Sequence, residues 1–123
     1  MRGTTVAVHV DVWLRGEQHA TSEIIGGIAA EPRSWTDADV RQVLEGMLQA
    51  MHRRRHPSEG DRPVSLRGLS WIVNPYEEGG VVIAIEITLG AAIAGPFDVD
   101  RAALETMIAR VLRGREGSPG TVH

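Results

Sequence analysis

Two segments of the chain carry the same apolar pattern, and that repetition narrows the folds open to it. Val40, Val43, Leu44, Met47 and Leu48 form one set, and Leu104, Met107, Ile108, Val111 and Leu112 form the other, each matched pair offset by 64 positions. Both sets follow the i, i+3, i+4, i+7, i+8 spacing that lines apolar side chains along one stripe of an α-helix. Each is preceded by segments in which apolar residues alternate with polar or small ones, the period-two mark of a strand with one buried face. The pattern predicts two ββα halves in succession.

In the first half, Val6, Val8, Val10, Val12 and Leu14 alternate with Ala7, His9, Asp11, Trp13 and Arg15, a strand from Thr5 to Arg15. Gly16 to His19 is a polar hairpin connection, and a return strand runs from Thr21 to Ala30, stopped by Pro32. The pair Gly26 and Gly27 marks a bulge or a close backbone approach within it. A helix from Asp37 to Arg54 has a full start signal, with Thr36 as N-cap, Asp39 three residues on, and Trp35 placed to pack on Val40. In the second half the third strand spans Val64 to Val73, with Leu69, Trp71 and Val73 on its apolar face. Asn74 to Gly80 is a turn-rich loop, and a long fourth strand starts at Val81 and stays apolar through Ala94 until Gly95 and Pro96. Asp98 or Asp100 caps the last helix, which ends near Gly114.

With 123 residues and 42% hydrophobic content, the chain has the size of one domain with its own core. The expected architecture is a two-layer α+β sandwich, in which a four-stranded, mainly antiparallel sheet carries both helices on one face. Residues 1–114 form this domain as halves of about 1–56 and 64–114, and the Gly-, Ser- and Pro-containing stretch 115–123 reads as a flexible C-terminal tail.

The composition removes several chemistries. All 13 basic residues are arginine, lysine and cysteine are absent, and Asn74 is the only asparagine, a bias that fits a G+C-rich coding sequence. Without lysine there is no Schiff-base catalysis and no phosphate-binding loop of the lysine type; without cysteine there is no thiol nucleophile and no thiolate zinc site. A net charge of −3 gives no global attraction to nucleic acid or to an anionic membrane. The first 25 residues alternate rather than forming an apolar leader, and no apolar run approaches the ~20 residues needed to span a bilayer. A soluble, cytoplasmic protein is the expectation.

Three sets of residues are candidates for function. If both helices cover the valine and isoleucine face, the opposite face presents small and apolar groups, and Trp13, Ile72, Val82, Ala84 and Thr88 become interface candidates. A long fourth strand also leaves an edge that needs pairing or cover. His9, Asp11 and Glu86 converge on that face as metal ligands or acid–base groups, provided the first and fourth strands are neighbours. His52, Arg53, Arg54, Arg55 and Arg62 are the concentrated positive charge, a set suited to phosphate. Aromatic residues make up 4% of the chain, too few for a base-stacking platform. No Gly-x-Ser-x-Gly elbow occurs, and neither Gly26-Gly27 nor Gly79-Gly80 sits between a strand and a helix. No catalytic residue and no cofactor are assigned. The sequence thus reads as a non-enzymatic binding or interaction protein, a homodimer or a subunit or regulator of another protein. The alternatives are a nucleic-acid-binding module built on the arginine run and a small enzyme or metal-binding domain built on His9, Asp11 and Glu86.

Overall fold

The computed structural model describes residues 6–28, 31–59, 64–66 and 69–117. In chain order these form β1 (Val6–Leu14), β2 (Thr21–Ile28), α1 (Asp37–Arg55), β3 (Ser70–Pro75), β4 (Val81–Ile87), β5 (Gly90–Phe97) and α2 (Arg101–Gly117), with a short 3₁₀ turn at Pro32–Ser34 before α1. The fold is α+β. Its sheet has five antiparallel strands in the order β2-β1-β5-β4-β3, one more than the sequence pattern predicts.

The extra strand arises where the apolar run from Val81 to Ala94 turns back on itself. Ile87 pairs with Gly90, so Thr88 and Leu89 form a two-residue hairpin turn, and β5 then pairs with β4 on one side and β1 on the other. No described residue other than glycine has a positive φ, so this turn is not of the primed kind that Asn-Gly or Gly-Gly would announce. Gly90 lets β5 leave the turn close against β1: a Cβ there would collide with the Trp13 carbonyl oxygen and the Leu14 Cα. The expected unpaired edge on a long fourth strand is therefore absent, because β4 and β5 are both interior; the edges are β2 and β3.

Other boundaries shift with local physics. β5 does not stop at Gly95 and Pro96 but passes through them as a bulge, since Val81 faces Phe97 while Ile83 faces Ala94. The bulge expected at Gly26 and Gly27 is present, with Val6 opposite Ile28 and Val8 opposite Ile25. β3 is shorter than predicted and begins at Ser70. α2 runs to Gly117, so the first three residues of the predicted tail are helical, and residues 118–123 lie outside the described residues.

Both helices cover one sheet face. Val40, Val43, Leu44 and Met47 of α1 and Leu104 and Ile108 of α2 are fully buried against Val8, Val10, Val12, Val73, Ile83 and Ile85. α1 lies over β1, β2 and β5, where fully buried Ala92 and Ala94 let it approach, and α2 lies toward β3. Trp35 is buried before α1 with its ring edge-on to Phe97 at 4.8 Å. The start of α1 is the expected capping box: Asp39 N–H donates to Thr36 Oγ1 and Thr36 N–H donates to Asp39 Oδ2. Asp100 caps α2 by accepting from Ala103 N–H.

Candidate functional site

The antiparallel register decides which side chains share the uncovered face, because residues directly opposite point the same way. One row crosses all five strands: Ser22, Asp11, Ile93, Ala84 and Ile72. The next row is Trp13, Ala91, Glu86 and Ser70. Ile72 is 50% exposed and Ile24, opposite His9, is 60% exposed. Between Ile72 and Ile93 the small side chains of Ala84 and Ala91 leave a shallow depression of 260 Å³ floored by the sheet. Trp13, Ile72, Val82 and Ala84 thus lie on this face as the sequence suggested, and Ile93, Ala91 and Ile24 join them. Thr88 does not: it occupies the β4–β5 turn at the end of the sheet.

The acidic and histidine cluster is not assembled. β5 lies between β1 and β4, so Glu86 stands two strands, about 10 Å, from the strand that carries His9 and Asp11. It also belongs to the row of Trp13 rather than that of Asp11. Asp11 instead accepts a hydrogen bond from Ser22 Oγ at 2.9 Å, on the side away from Glu86. Among the described residues no group of three His, Asp or Glu is placed to hold a metal.

The positive run at the end of α1 is folded onto the chain's own carboxylates. Arg54 reaches back across the sheet end, donating from Nη2 to Glu17 at 3.0 Å and from Nε to Thr21 Oγ1 at 2.8 Å. Arg53 lies 3.7 Å from Glu23, and His52 and His56 lie 3.7 and 3.5 Å from Glu59. Successive helical residues point in different directions, and the pairing with acids lowers the field that the run presents to an external polyanion. Arg55 is exposed, and Arg62 lies outside the described residues.

The pairs that the sequence pattern missed are long-range and tie the layers together. Arg33 donates to Asp98 at 2.7 Å, joining the turn before α1 to the segment before α2. Arg110 of α2 donates to both carboxylate oxygens of Asp37 at the start of α1. No spacing rule connects residues 65 or 73 positions apart.

No helix among the described residues is long and apolar enough to cross a membrane. Comparison with protein-family models, with curated proteins and with solved structures finds no match.

Proposed function

We propose that the protein acts by binding rather than by catalysis, and that its uncovered sheet face pairs with the same face of a second copy. The observation that carries this reading is the row Ile93, Ala84 and Ile72, flanked by Ala91 and Trp13, an apolar band across four adjacent strands on the side that no helix covers. The band has both halves of a self-complementary surface. Ile72 and Ile93 project as ridges, and Ala84 and Ala91 form the floor between them, so a twofold axis sets the ridge of each copy into the floor of the other. Trp13 at the margin is the kind of side chain that anchors interfaces. Five strands of six to nine residues at the usual spacing give a projected face of roughly 600 Å². That is the order of area a standard interface of about 800 Å² per partner uses.

Sedimentation velocity over a micromolar concentration series tests the reading. The expected result is a mass of twice the chain for the wild type and of one chain for Ile72→Glu, a substitution at a half-exposed site that folding tolerates. A wild-type mass of one chain throughout the series overturns the proposal.

A further inference from the structure

The end of the sheet that carries the β4–β5 turn holds two adjoining concavities. One, of 430 Å³, is lined by Leu48 and His52 of α1, by Val64 and Ser65, and by Ile87, Thr88 and Leu89. The other, of 480 Å³, is lined by Arg15 and Arg55 together with the same Thr88 and Leu89. The two share Thr88 and Leu89, so the aliphatic residues of one adjoin the arginines of the other. We propose that this double basin binds an amphipathic oxyanion, a small molecule whose aliphatic body lies over Leu48, Val64, Ile87 and Leu89 and whose carboxylate or phosphate head meets Arg15 and Arg55.

Each part of the ligand answers a feature of the site. The first basin has the volume of a small-molecule pocket, and aliphatic Leu48, Val64, Ile87 and Leu89 line it beside the polar His52, Ser65 and Thr88. The two arginines come from different elements, the end of β1 and the end of α1, and both border the second basin. Arg15 is held there by its Nε, which donates to the Thr88 carbonyl at 2.9 Å and uses one of the guanidinium's five donors. Arg53 and Arg54 are turned toward Glu23 and Glu17, whereas Arg55 is turned toward the basin. Guanidinium pairs recognise oxyanions by charge-assisted hydrogen bonds. Inside the first basin, His52 Nε2 is a buried atom with no hydrogen bond among the described residues. Glu59 stands 3.7 Å from that nitrogen and repels an anion, which orients the ligand with its apolar body over His52 and its charge toward the arginines. The site lies off the outer sheet face and is independent of self-association.

Calorimetric titration of the full chain with octyl phosphate, kept below its micellar threshold, tests the proposal. Octanol and inorganic phosphate serve as the headless and tailless controls, and octanoate reports which head is preferred. Octyl phosphate or octanoate is expected to bind saturably at one site per chain, about tenfold or more tighter than octanol or phosphate. Arg15→Gln combined with Arg55→Gln is expected to remove that about tenfold advantage and leave octanol binding unchanged. Thr88→Trp, which fills the shared wall, is expected to weaken both kinds of ligand. Equal affinity for octanol and the two anions overturns the proposal, as does undiminished anion binding by the double variant. Capture of the chain by anionic phosphatidylglycerol vesicles without binding of either monomeric anion also overturns it, in favour of a membrane surface. The wild-type comparison with the two controls decides the matter even where a variant fails to fold.

Discussion

Arg110 of α2 holds Asp37 of α1 in a two-pronged grip, Nε donating to Oδ2 and Nη2 to Oδ1, each at 2.8 Å. Asp37 is the first residue of α1, where a negative charge also faces the positive end of the helix dipole. The grip fastens the two helices to each other on the solvent side of the layer, above the apolar stripes that fasten them to the sheet. The Arg110 hydrogen bond outweighs desolvation, the next largest effect, and with lesser Coulombic contributions from Arg110 and Arg41 holds the Asp37 carboxyl below its ordinary value of 3.8.

A pH signature follows from that depressed pKa. Because the folded-state value lies below the unfolded one, the carboxylate contributes stability that is fully present above pH 3.8 and is lost as pH falls through the lower folded value. The melting temperature of Arg110→Ala is expected to lie below that of the wild type by a steady margin between about pH 5 and 7. The margin is expected to close below pH 3.8. Circular-dichroism melts across that range measure it, and a margin that stays constant down to pH 2 contradicts the assignment.

The close approach of β5 to β1 predicts a contrast between two glycines. Gly90→Ala drives a methyl group into the Trp13 carbonyl and the Leu14 Cα, backbone atoms that move only if the strands part. A loss of about 3 kcal/mol is expected, at the upper end for overpacking. Gly26→Ala meets nothing within 4 Å and has no left-handed backbone to strain. It is expected to change stability by less than about 0.5 kcal/mol, or to stabilise slightly by narrowing the unfolded ensemble. Urea unfolding of the two variants side by side reads the difference.

The helices and the alternating strands were legible in the sequence because their information is local. Thr36 and Asp39 cap a helix three residues apart, and Val8, Val10 and Val12 declare a face by alternation alone. The fifth strand was not legible, because Thr88 and Leu89 are poor turn residues and the apolar alternation runs on through them toward Ala94. What fixes the return strand is its pairing with β1, where Gly90 lies against Leu14, some 76 residues earlier in the chain. The strand order escaped for the same cause, and with it the fate of the candidate sites. Trp13, Ile72 and Ala84 share the outer face whichever strands are neighbours, because alternation alone assigns the face. The meeting of His9 and Asp11 with Glu86 needed one specific neighbour relation, and β5 occupies that place.

The two helices repeat in sequence but not in burial, and the difference is measurable. Val43 of α1 is fully buried, whereas its counterpart Met107 is only partly covered at the margin of the core, unlike the fully buried Met47 of α1. Met47→Ala is expected to cost about 2–5 kcal/mol, the range for a large side chain removed from a closed site, and Met107→Ala at least about 1 kcal/mol less. Leu44→Ala and Ile108→Ala, at fully buried matched positions, are expected to cost similar amounts. Chemical unfolding of the four variants tests whether the repeat is one of pattern or of energetic role.

The separation of Glu86 from His9 and Asp11 predicts indifference to divalent cations at that face. Zinc, manganese or magnesium at millimolar concentration is expected to leave the melting temperature unchanged, and Glu86→Gln to leave it within about 1 °C of the wild type, as for an exposed side chain away from the core. A metal-dependent rise that Glu86→Gln abolishes is incompatible with a five-stranded order in which β5 divides the ligands.

The nature of the proposed interface makes a last prediction, on salt. The outer-face band is built from Ile72, Ala84, Ala91, Ile93 and Trp13, and its charged groups, Asp11 and Glu86, are of one sign. If copies pair through the band, association rests on removing apolar surface from water, a term that dilute salt does not screen. Raising sodium chloride from about 50 to about 500 mM shortens the Debye length roughly threefold and weakens every exposed ion pair. The dimer dissociation constant is then expected to stay level or to fall, because screening relieves repulsion between like carboxylates brought face to face. An interface made instead by Arg53, Arg54 and Arg55 trading their intramolecular carboxylates for those of a second copy moves the other way and weakens with salt. The sign of the salt dependence, read from sedimentation equilibrium on one protein with no substitution, therefore separates pairing through the sheet face from pairing through the helix end.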